Sequence, residues 1–522
     1  MAIKTLIRPG EYHDSVALMA AARALTEFSG VRDAAVVMAT EANRAVLKEA
    51  GLLTPEASSA TPNDVIIAVK ADSAERAEAA LAQALRLLAT PQKSTDASPG
   101  GEGAPRPRSL RSAVQAAAGA NVAVVSVAGC YAADEAWEAL RRGLHVLLFS
   151  DHISLEDEVA LKRYASERGL LLMGPGAGTA ILNGVALGFA NVLPRGPVGL
   201  VAAAGTGLQE VSTLLARRGV GLSQGLGVGG RDLSAEVGGL MMLQALRALQ
   251  ADPATSVIGL ISKPPAPEVA ARIIAQAGAS SKPTVVCFLG LSDPASLGAL
   301  PENVTLAPTL LACAVFAGLA AGLQFDPSVI PEGDITRQLR RQAERLRSTL
   351  APGQRQLRGL FSGGTLCYEA QVIWRDQVRL PVRSNAPLAA DYPARRTAHT
   401  AIDLGEEEFT VGRPHPMIDN DLRCRRLLQA ARDRSVAVVL LDVVLGYGAH
   451  PDPASELGPA IREARALARA AGRRLVVVAS VTGTDQDPQV RSAQAARLKQ
   501  AGAVVAESNA HAAMLAGLIL KG

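Results

Sequence analysis

Two short stretches of the 522-residue chain combine residue types that bind anions. Gly205-Thr206-Gly207 and Gly363-Gly364-Thr365 each follow an apolar run and open a helix-periodic segment, and a glutamate follows each threonine at the same spacing, Glu210 and Glu369. Where a strand ends in small residues and feeds a helix, the first backbone N–H groups of that helix lack partners and attract phosphate or carboxylate. Thr206 and Gln209 have the Thr-x-x-Gln spacing of a capping box, which predicts a helix start at Thr206. Any strand–turn–helix of an α/β protein has a similar composition. The second copy, with SVIGLISK and SVAVVLLD as later apolar strands, reads as an internal duplication of one α/β unit.

Other groups could complete such a site. The strand SVIGLIS ends at Lys263, and ligands of α/β sheets bind at the carboxyl ends of strands, although a solvated loop lysine fits there as well. In the last third of the chain, three strands run into loops rich in Asp, Gly, His and Pro. One presents Arg413, His415 and Asp419 between stiffening prolines, a set suited to gripping a carboxylate or carbamoyl oxygen, and His450 in the next loop is a further orienting candidate. A structural crossover in which His415 satisfies backbone carbonyls reads equally well. His399, His415 and His450 with Asp442, Asp452 and Asp485 lack His-x-x-His or His-x-x-x-His spacing, so no metal is expected.

The elements that must position these groups form a multidomain α/β chain. Ala, Leu, Val and Gly dominate and aromatics make up 3%, which suits helices packed on parallel sheets. A formal net charge of +4 with dispersed arginines does not imply nucleic acid. Cys130, Cys287, Cys313, Cys367 and Cys424 show no Cys-x-x-Cys spacing. The N-terminus has no signal-peptide core and the longest apolar run, VAVVLLDVVLGYG, is broken by Asp442, so a soluble cytoplasmic protein is expected. Residues 1–89 read as βαβαβα, 90–112 as a Pro/Gly/Ser-rich linker, and 113–195 as a Rossmann-like half ending at Gly174-Pro175-Gly176. Residues 196–330 and 356–522 read as two doubly wound units joined by a helical connector, 331–355. Neither a Walker A sequence nor a nucleophile-elbow motif occurs.

The segments LLLMGPGAGTAILNG, GPVGLVAAAGTGLQE and GVGLSQGLGVGGRD resemble, in order and spacing, the Gly-Pro-Asn, Ser-Gly-Thr and Gly-Ile-Gly-Gly-Asp segments of the succinyl-CoA synthetase alpha subunit. Over its whole length, including the second ligase-like unit, the chain most resembles the FdrA proteins. That resemblance implies flavodoxin-like ligase units beside a CoA-binding-type domain, an acyl-CoA synthetase ancestry, and a link to oxamate carbamoyltransferase in concert with other subunits. It also places Gly205, Thr206 and Glu210 at a phosphate-cradling helix start, and gives Gly174, Pro175 and Gly176 to a CoA-type pocket. Two departures stand out. The synthetase carries phosphate on a histidine in a Gly-His-Ala-Gly segment after the strand that here reads TVVCFLG. This chain continues LSDPASLGAL and has no histidine between His152 and His399. Where the synthetase has a glutamate orienting that histidine, this chain has Lys263. The glycine-rich CoA loop that precedes NVAVVSVAG in the synthetase is replaced by the linker, so CoA stays only an option.

Three readings follow. The first is a hetero-oligomeric carbamoyl- or acyl-phosphate transferase subunit, with carbamoyl phosphate at the helix starts and Lys263, Arg413 and His415 as the reacting-site groups. The second is an acid–thiol ligase with a displaced histidine. The third is a non-catalytic scaffold.

Overall fold

The computed structural model describes all residues except 1, 12, 14, 27, 41–42, 45–46, 49, 90–106, 128, 292–293, 324–333, 389–397, 411–413 and 522. They form two compact units, residues 1–108 with 406–415, and residues 109–405 with 416–522.

The first unit contains β1 (Ala2–Arg8), α1 (Ser15–Thr26), β2 (Val31–Met38), β3 (Val65–Ala71) and α2 (Ala74–Ala89). Its sheet has the order β1-β3-β2 with both pairings antiparallel. The apolar run Val65–Val69 of β3 suits a central strand buried on both faces. Ile67 and Val69 pack with Leu25, Ala77, Ala80 and Ala84, while Ile66 and Ala68 pack with Leu47, Leu52 and Ala57. The helix expected over 42–51 falls partly outside the described residues, and is helical at 43–44 and 47–48.

The second unit opens with α3 (Leu110–Ala116), β4 (Val122–Val125), α4 (Gly129–Arg141), β5 (His145–Leu148), α5 (Leu155–Glu167) and β6 (Leu172–Met173), a parallel three-stranded half-domain in the order β4-β5-β6. A hairpin of β7 (Thr179–Leu182) and β8 (Val185–Gly188) then joins the next sheet, so that sheet begins well upstream of residue 195. The hairpin covers the outer edge of β10 (Leu222–Gly227), pairing Ile181 with Gly225 and Ala180 with Leu226, and so removes an exposed strand edge.

The first ligase-like unit continues with β9 (Arg195–Ala202), α6 (Gly205–Ala216), β10 (Leu222–Gly227), α7 (Leu240–Ala251), β11 (Val257–Ser262), α8 (Pro267–Gly278), β12 (Thr284–Phe288), β13 (Val304–Leu306) and α9 (Leu310–Ala320). After α10 (Asp334–Arg347) the second has β14 (Gln356–Phe361), α11 (Gly364–Ile373), β15 (Arg383–Ser384), β16 (Thr400–Asp403), α12 (Asp421–Arg432), β17 (Val436–Val444), α13 (Pro453–Ala470), β18 (Val476–Thr482), α14 (Arg491–Ala501), β19 (Val504–Ala506) and α15 (Asn509–Leu520). The sheet orders are β13-β12-β11-β9-β10-β7-β8 and β15-β16-β14-β17-β18-β19. With the β7–β8 hairpin of the first sheet and the two-residue β15 of the second set aside, the remaining five parallel strands of each unit, taken in chain order, read 2-1-3-4-5, the flavodoxin-like winding that the internal repeat implies. One apolar core runs from Leu200 and Leu214 through Cys313 to Phe361, Trp374 and Leu515, so the two units share an interior. That is why α6 has no solvent-facing side from Gly207 through Leu215, which are all buried, polar residues included.

Candidate functional site

The helices α6 and α11 start directly after the first strand of their respective sheets, at the carboxyl ends, and their starts face one another. A Cβ on Gly363 would lie 2.9 Å from Thr206 Oγ1 and Cγ2, and one on Gly207 would lie 3.0 Å from Thr365 Cγ2. Each threonine thus fills the space that the opposite glycine leaves, and Gly205, Thr206 and Gly207 are brought together with Gly363, Gly364 and Thr365. Neither helix has a side-chain cap; the N-cap residues are Ala204 and Gly363. The capping box expected at Thr206 and Gln209 does not form, because the helix begins at Gly205 and Gln209, buried, directs its amide to Asn191 Oδ1 at 3.1 Å. A buried amide must be paired, and Asn191 supplies the partner. Lys263, just past β11, extends toward α11 with Nζ 5.4 Å from the centre of the Tyr368 ring.

The repeated glutamates exchange roles across the seam. Glu210 of α6 accepts the N–H of Asn509, the first residue of α15, at 3.0 Å, and Thr482 Oγ1 donates to its other oxygen at 2.5 Å. Glu369 of α11 accepts the N–H of Leu310, the first residue of α9, at 2.7 Å, and Asn509 Nδ2 at 2.8 Å. Each glutamate side chain therefore caps the last helix of the other unit by accepting its first N–H. Burial raises the Glu369 carboxyl to about 7, the Asn509 amide opposes that shift, and the nearby Glu210 adds to it.

The two facing helix starts differ in charge. Asp442, fully buried on β17, accepts Ser362 N at 2.7 Å through Oδ1 and Gly363 N at 2.8 Å through Oδ2. The same carboxylate pairs with buried Arg423 at 3.0 Å. Burial pushes the Asp442 carboxyl up, and Arg423 and the amides pull it back. Asp403, at the end of β16, brings Oδ2 to within 2.6 Å of where a Cβ on Gly364 would stand. Asp442 thus binds the two N–H groups just before α11, and Asp403 stands beside its first residue. Sequence reasoning missed Asp403, Ser362, Arg423 and Asn509. Asp442 did carry a signal, as the one charge interrupting an apolar strand.

Asp442 is also the head of a buried relay. Arg423 Nη2 donates to Asn420 Oδ1 at 2.6 Å, and Asn420 Nδ2 to Glu456 Oε2 at 3.1 Å. Glu456 Oε1 stands 3.1 Å from His450 Nε2 without hydrogen-bonding geometry, and His450 Nδ1 accepts the Asp452 N–H at 3.0 Å. His450 is therefore a packed member of this network. Asp419 accepts the Asp421 N–H at 2.7 Å, at the start of α12. His415 belongs to the first compact unit and Asp419 to the second, while Arg413 lies outside the described residues. His399 accepts the Leu357 N–H at 3.1 Å beside the amino end of β14, Asp452 pairs with Arg497, and Asp485 accepts the Ser492 N–H. Among the described residues no three His, Cys, Asp or Glu side chains gather to hold a metal ion.

Gly174 and Pro175 are joined by a cis peptide, and a Cβ on Gly174 would lie 2.2 Å from Leu148 O, whereas Gly176 faces open space. Beside this turn, Lys162 is fully buried and bonds Glu158 and Asp232, both at 2.8 Å; Asp232 also accepts the Met242 N–H at 2.8 Å, capping α7. The Gly-Gly-Arg-Asp segment thereby ties the half-domain to the first ligase-like unit. No helix among the described residues is long and apolar enough to cross a membrane.

Residues 360–519 match the CoA-ligase family, and residues 1–105 match the heavy metal-associated domain of AllF. That first stretch contains no cysteine, so thiolate coordination is not available to it. The chain is 29% identical over 179 residues to the succinate–CoA ligase [ADP-forming] alpha subunit of Methanothermobacter thermautotrophicus, an alignment covering 33% of this chain and 59% of that subunit. A dinucleotide-forming acetyl-coenzyme A synthetase 1 from Ca. Korarchaeum cryptofilum is similar in structure over 76% of this chain and 82% of that one, at 16% identity and a TM-score of 0.29, too loose to place any residue. YahF of Escherichia coli (strain K12) is 41% identical over 519 residues, 99% of this chain and 98% of that protein. The chain belongs with YahF to the FdrA family, proteins related to AllF and built on a succinyl-CoA-synthetase-like CoA-ligase scaffold.

Proposed function

We propose that this chain is the ligase-scaffold subunit of a transferase that takes a small phosphorylated substrate, a carbamoyl or acyl phosphate, without a histidine carrier. The observation that supports this most is the contrast at the facing helix starts. Asp442 binds the N–H groups of Ser362 and Gly363 just before α11 and Asp403 stands beside Gly364, whereas at α6 the equivalent Ala203 N–H bonds the backbone oxygen of Ile261. The α6 start has less negative charge beside it, so an external oxyanion is favoured at Gly205, Thr206 and Gly207. Lys263 supplies a cation on the same carboxyl edge. The sequence places no histidine where the synthetase carries its phosphate.

In a carbamoyl transfer the acceptor nitrogen attacks the carbamoyl carbon, the bond from that carbon to the phosphate oxygen breaks, and the acceptor nitrogen loses a proton to solvent. No covalent enzyme intermediate is needed. The protein's task is to hold the phosphate and neutralise its charge as it leaves, which helix N–H groups and an ammonium can do. Oxamate or a related small carboxylate amide as acceptor, and other subunits as partners, enter this reading through the family. Lys263→Ala should weaken carbamoyl phosphate binding by roughly ten- to a hundredfold in calorimetric titration, with thermal melting unchanged. Unchanged affinity in a folded variant would remove the site from α6.

The CoA-ligase match over 360–519 supports a second reading, an acid–thiol ligase. In it CoA would lie over Gly176, because Gly174 is closed by Leu148. Formation of an acyl-CoA, or of an acid-labile phosphoprotein, on incubation with nucleotide, acid and CoA would favour this second reading over the first.

A further inference from the structure

At the end of α6 remote from the helix starts, the seam between the two ligase-like units closes on a group of cations that the reading above does not use. Arg217 follows Glu210 by seven residues, two turns along one face of the helix. Its Nη2 donates to Glu507 O at 2.9 Å and to Glu507 Oε2 at 2.7 Å. Glu507 precedes Ser508, the N-cap of α15, whose hydroxyl accepts His511 N at 3.2 Å and lies 3.2 Å from His511 Nδ1. Arg491, at the start of α14, donates Nε to Val481 O at 3.0 Å, next to the Thr482 hydroxyl that holds Glu210. The end of α6, the end of β18 and the starts of α14 and α15 therefore bring Arg217, Arg218, Arg491 and His511 to one place. The acids facing them are Glu210, committed to Asn509 and Thr482; Glu507, largely exposed and paired with Arg217; and Asp485, which accepts the Ser492 N–H. Arg491 makes no ion pair among the described residues.

Among the described residues, two donors in this group have no acceptor. The Ser508 hydroxyl oxygen already accepts the His511 N–H, so its own proton is assigned to Nδ1 and the imidazole proton to Nε2, which is buried without a partner, as is Arg217 Nη1. His511 is 5% exposed, so solvent does not substitute freely. Burial, with Arg218 and Arg217 adding to it against Glu507, holds this imidazole neutral, its pKa lowered to about 4. Both orphan groups donate, and the charges around them are guanidinium, which selects an acceptor with negative charge.

We propose that this seam binds a small oxyanion, a carboxylate or a phosphate, that accepts hydrogen bonds from Arg217 Nη1 and His511 Nε2 while Arg218 and Arg491 balance its charge. The anion would bridge α6 of the first ligase-like unit and the β18–α15 corner of the second. At 1.5 Å per residue, the site stands about 18 Å from Lys263's end of α6, so it does not depend on the phosphate site proposed there.

The test is imidazole NMR on the full-length protein labelled at histidine, with the His511 signal assigned by its loss in His511→Gln. Inorganic phosphate and acetate are titrated separately, with sodium chloride at matched ionic strength as control. The expected result is a saturable shift of the His511 signal with one or both oxyanions, a His511 pKa raised by at least about one unit at saturation, and binding weakened roughly tenfold or more in Arg217→Gln. Lys263→Ala should leave the signal unchanged. If Arg217→Gln does not fold, Arg491→Gln, on a partly exposed side chain, should weaken the same titration several-fold. A shift that chloride reproduces, a shift that does not saturate, or a saturable shift unaffected by the arginine variants would overturn the proposal.

Discussion

The two ligase-like units share strand order, the glycine–threonine helix start and the glutamate that caps the partner's last helix, but one neighbouring position divides them. Counting from Gly205 and Gly364, the equivalent residues Val201 and Leu360 pair with Leu260 and Leu441 on the adjacent strand. The next residue is Ile261 in the first unit and Asp442 in the second. Ala203 N accordingly donates to the backbone oxygen of Ile261 at 2.9 Å, while its counterpart Ser362 N donates to the Asp442 side chain at 2.7 Å. Duplication preserved the backbone and let the electrostatics diverge. One helix start keeps its positive end, and the other is neutralised from within.

Removing that difference should have the largest effect. Asp442→Ala leaves Arg423 buried without its counter-charge and strips Ser362 N and Gly363 N of their acceptor, so stability should fall by about 3–5 kcal/mol in denaturant unfolding. A loss under about 1 kcal/mol would mean that the second helix start is not held by Asp442.

The glutamate exchange gives a pH signature. Glu369 is raised from 4.5 to about 7 in the folded protein. Between those values the native state binds a proton that the unfolded chain has released, so this contribution is complete below 4.5 and is lost as pH rises through 7. The loss amounts to roughly 3 kcal/mol at most. Glu369→Gln, which cannot ionise, should flatten that part of the stability–pH curve. An unchanged slope would show that Glu369 is not the group responsible.

The third effect is steric. Gly363→Ala places a methyl 2.9 Å from Thr206 with no backbone strain, since φ at 363 is −109°. A cost of about 1–3 kcal/mol is expected, relieved in part when Thr206→Ala is combined with it, since that change removes Oγ1 and Cγ2 but leaves Cβ at 3.0 Å. Additive losses in the double-mutant cycle would contradict the interlocked helix starts.

Much of this was legible in the sequence, for identifiable reasons. The repeat of Gly-Thr-x-x-x-Glu with matching later strands is local, and it marked both first helices. That the glutamates face each other's units, rather than a ligand, depends on how two duplicated sheets dock, which no spacing records. Asp442 was visible as a charge inside an apolar strand, but its partner Arg423 lies 19 residues upstream within a helix of many arginines, where nothing singles it out. The β7–β8 hairpin was missed because four-residue strands with partly exposed positions have no distinctive alternation.

The smallest expected effect is at Thr206 itself. A threonine three residues before a glutamine satisfies the capping pattern, yet a cap contributes only when its hydroxyl accepts the N–H three residues on. Thr309 does so, accepting Ala312 N at 3.1 Å, and Ser508 accepts His511 N at 3.2 Å, so the last helices of both units are truly capped. Thr206 sits inside the first turn of α6 with its side chain against Gly363. Thr309→Ala should therefore cost about 1 kcal/mol, and Thr206→Ala less than about 0.5 kcal/mol, because only a methyl-sized contact at the seam is lost. Thermal melting of the two variants side by side decides between them. Equal losses would mean that the Thr206 hydroxyl takes part in holding the helix start, and the two ends of the repeated unit would then be more alike than their hydrogen bonds indicate.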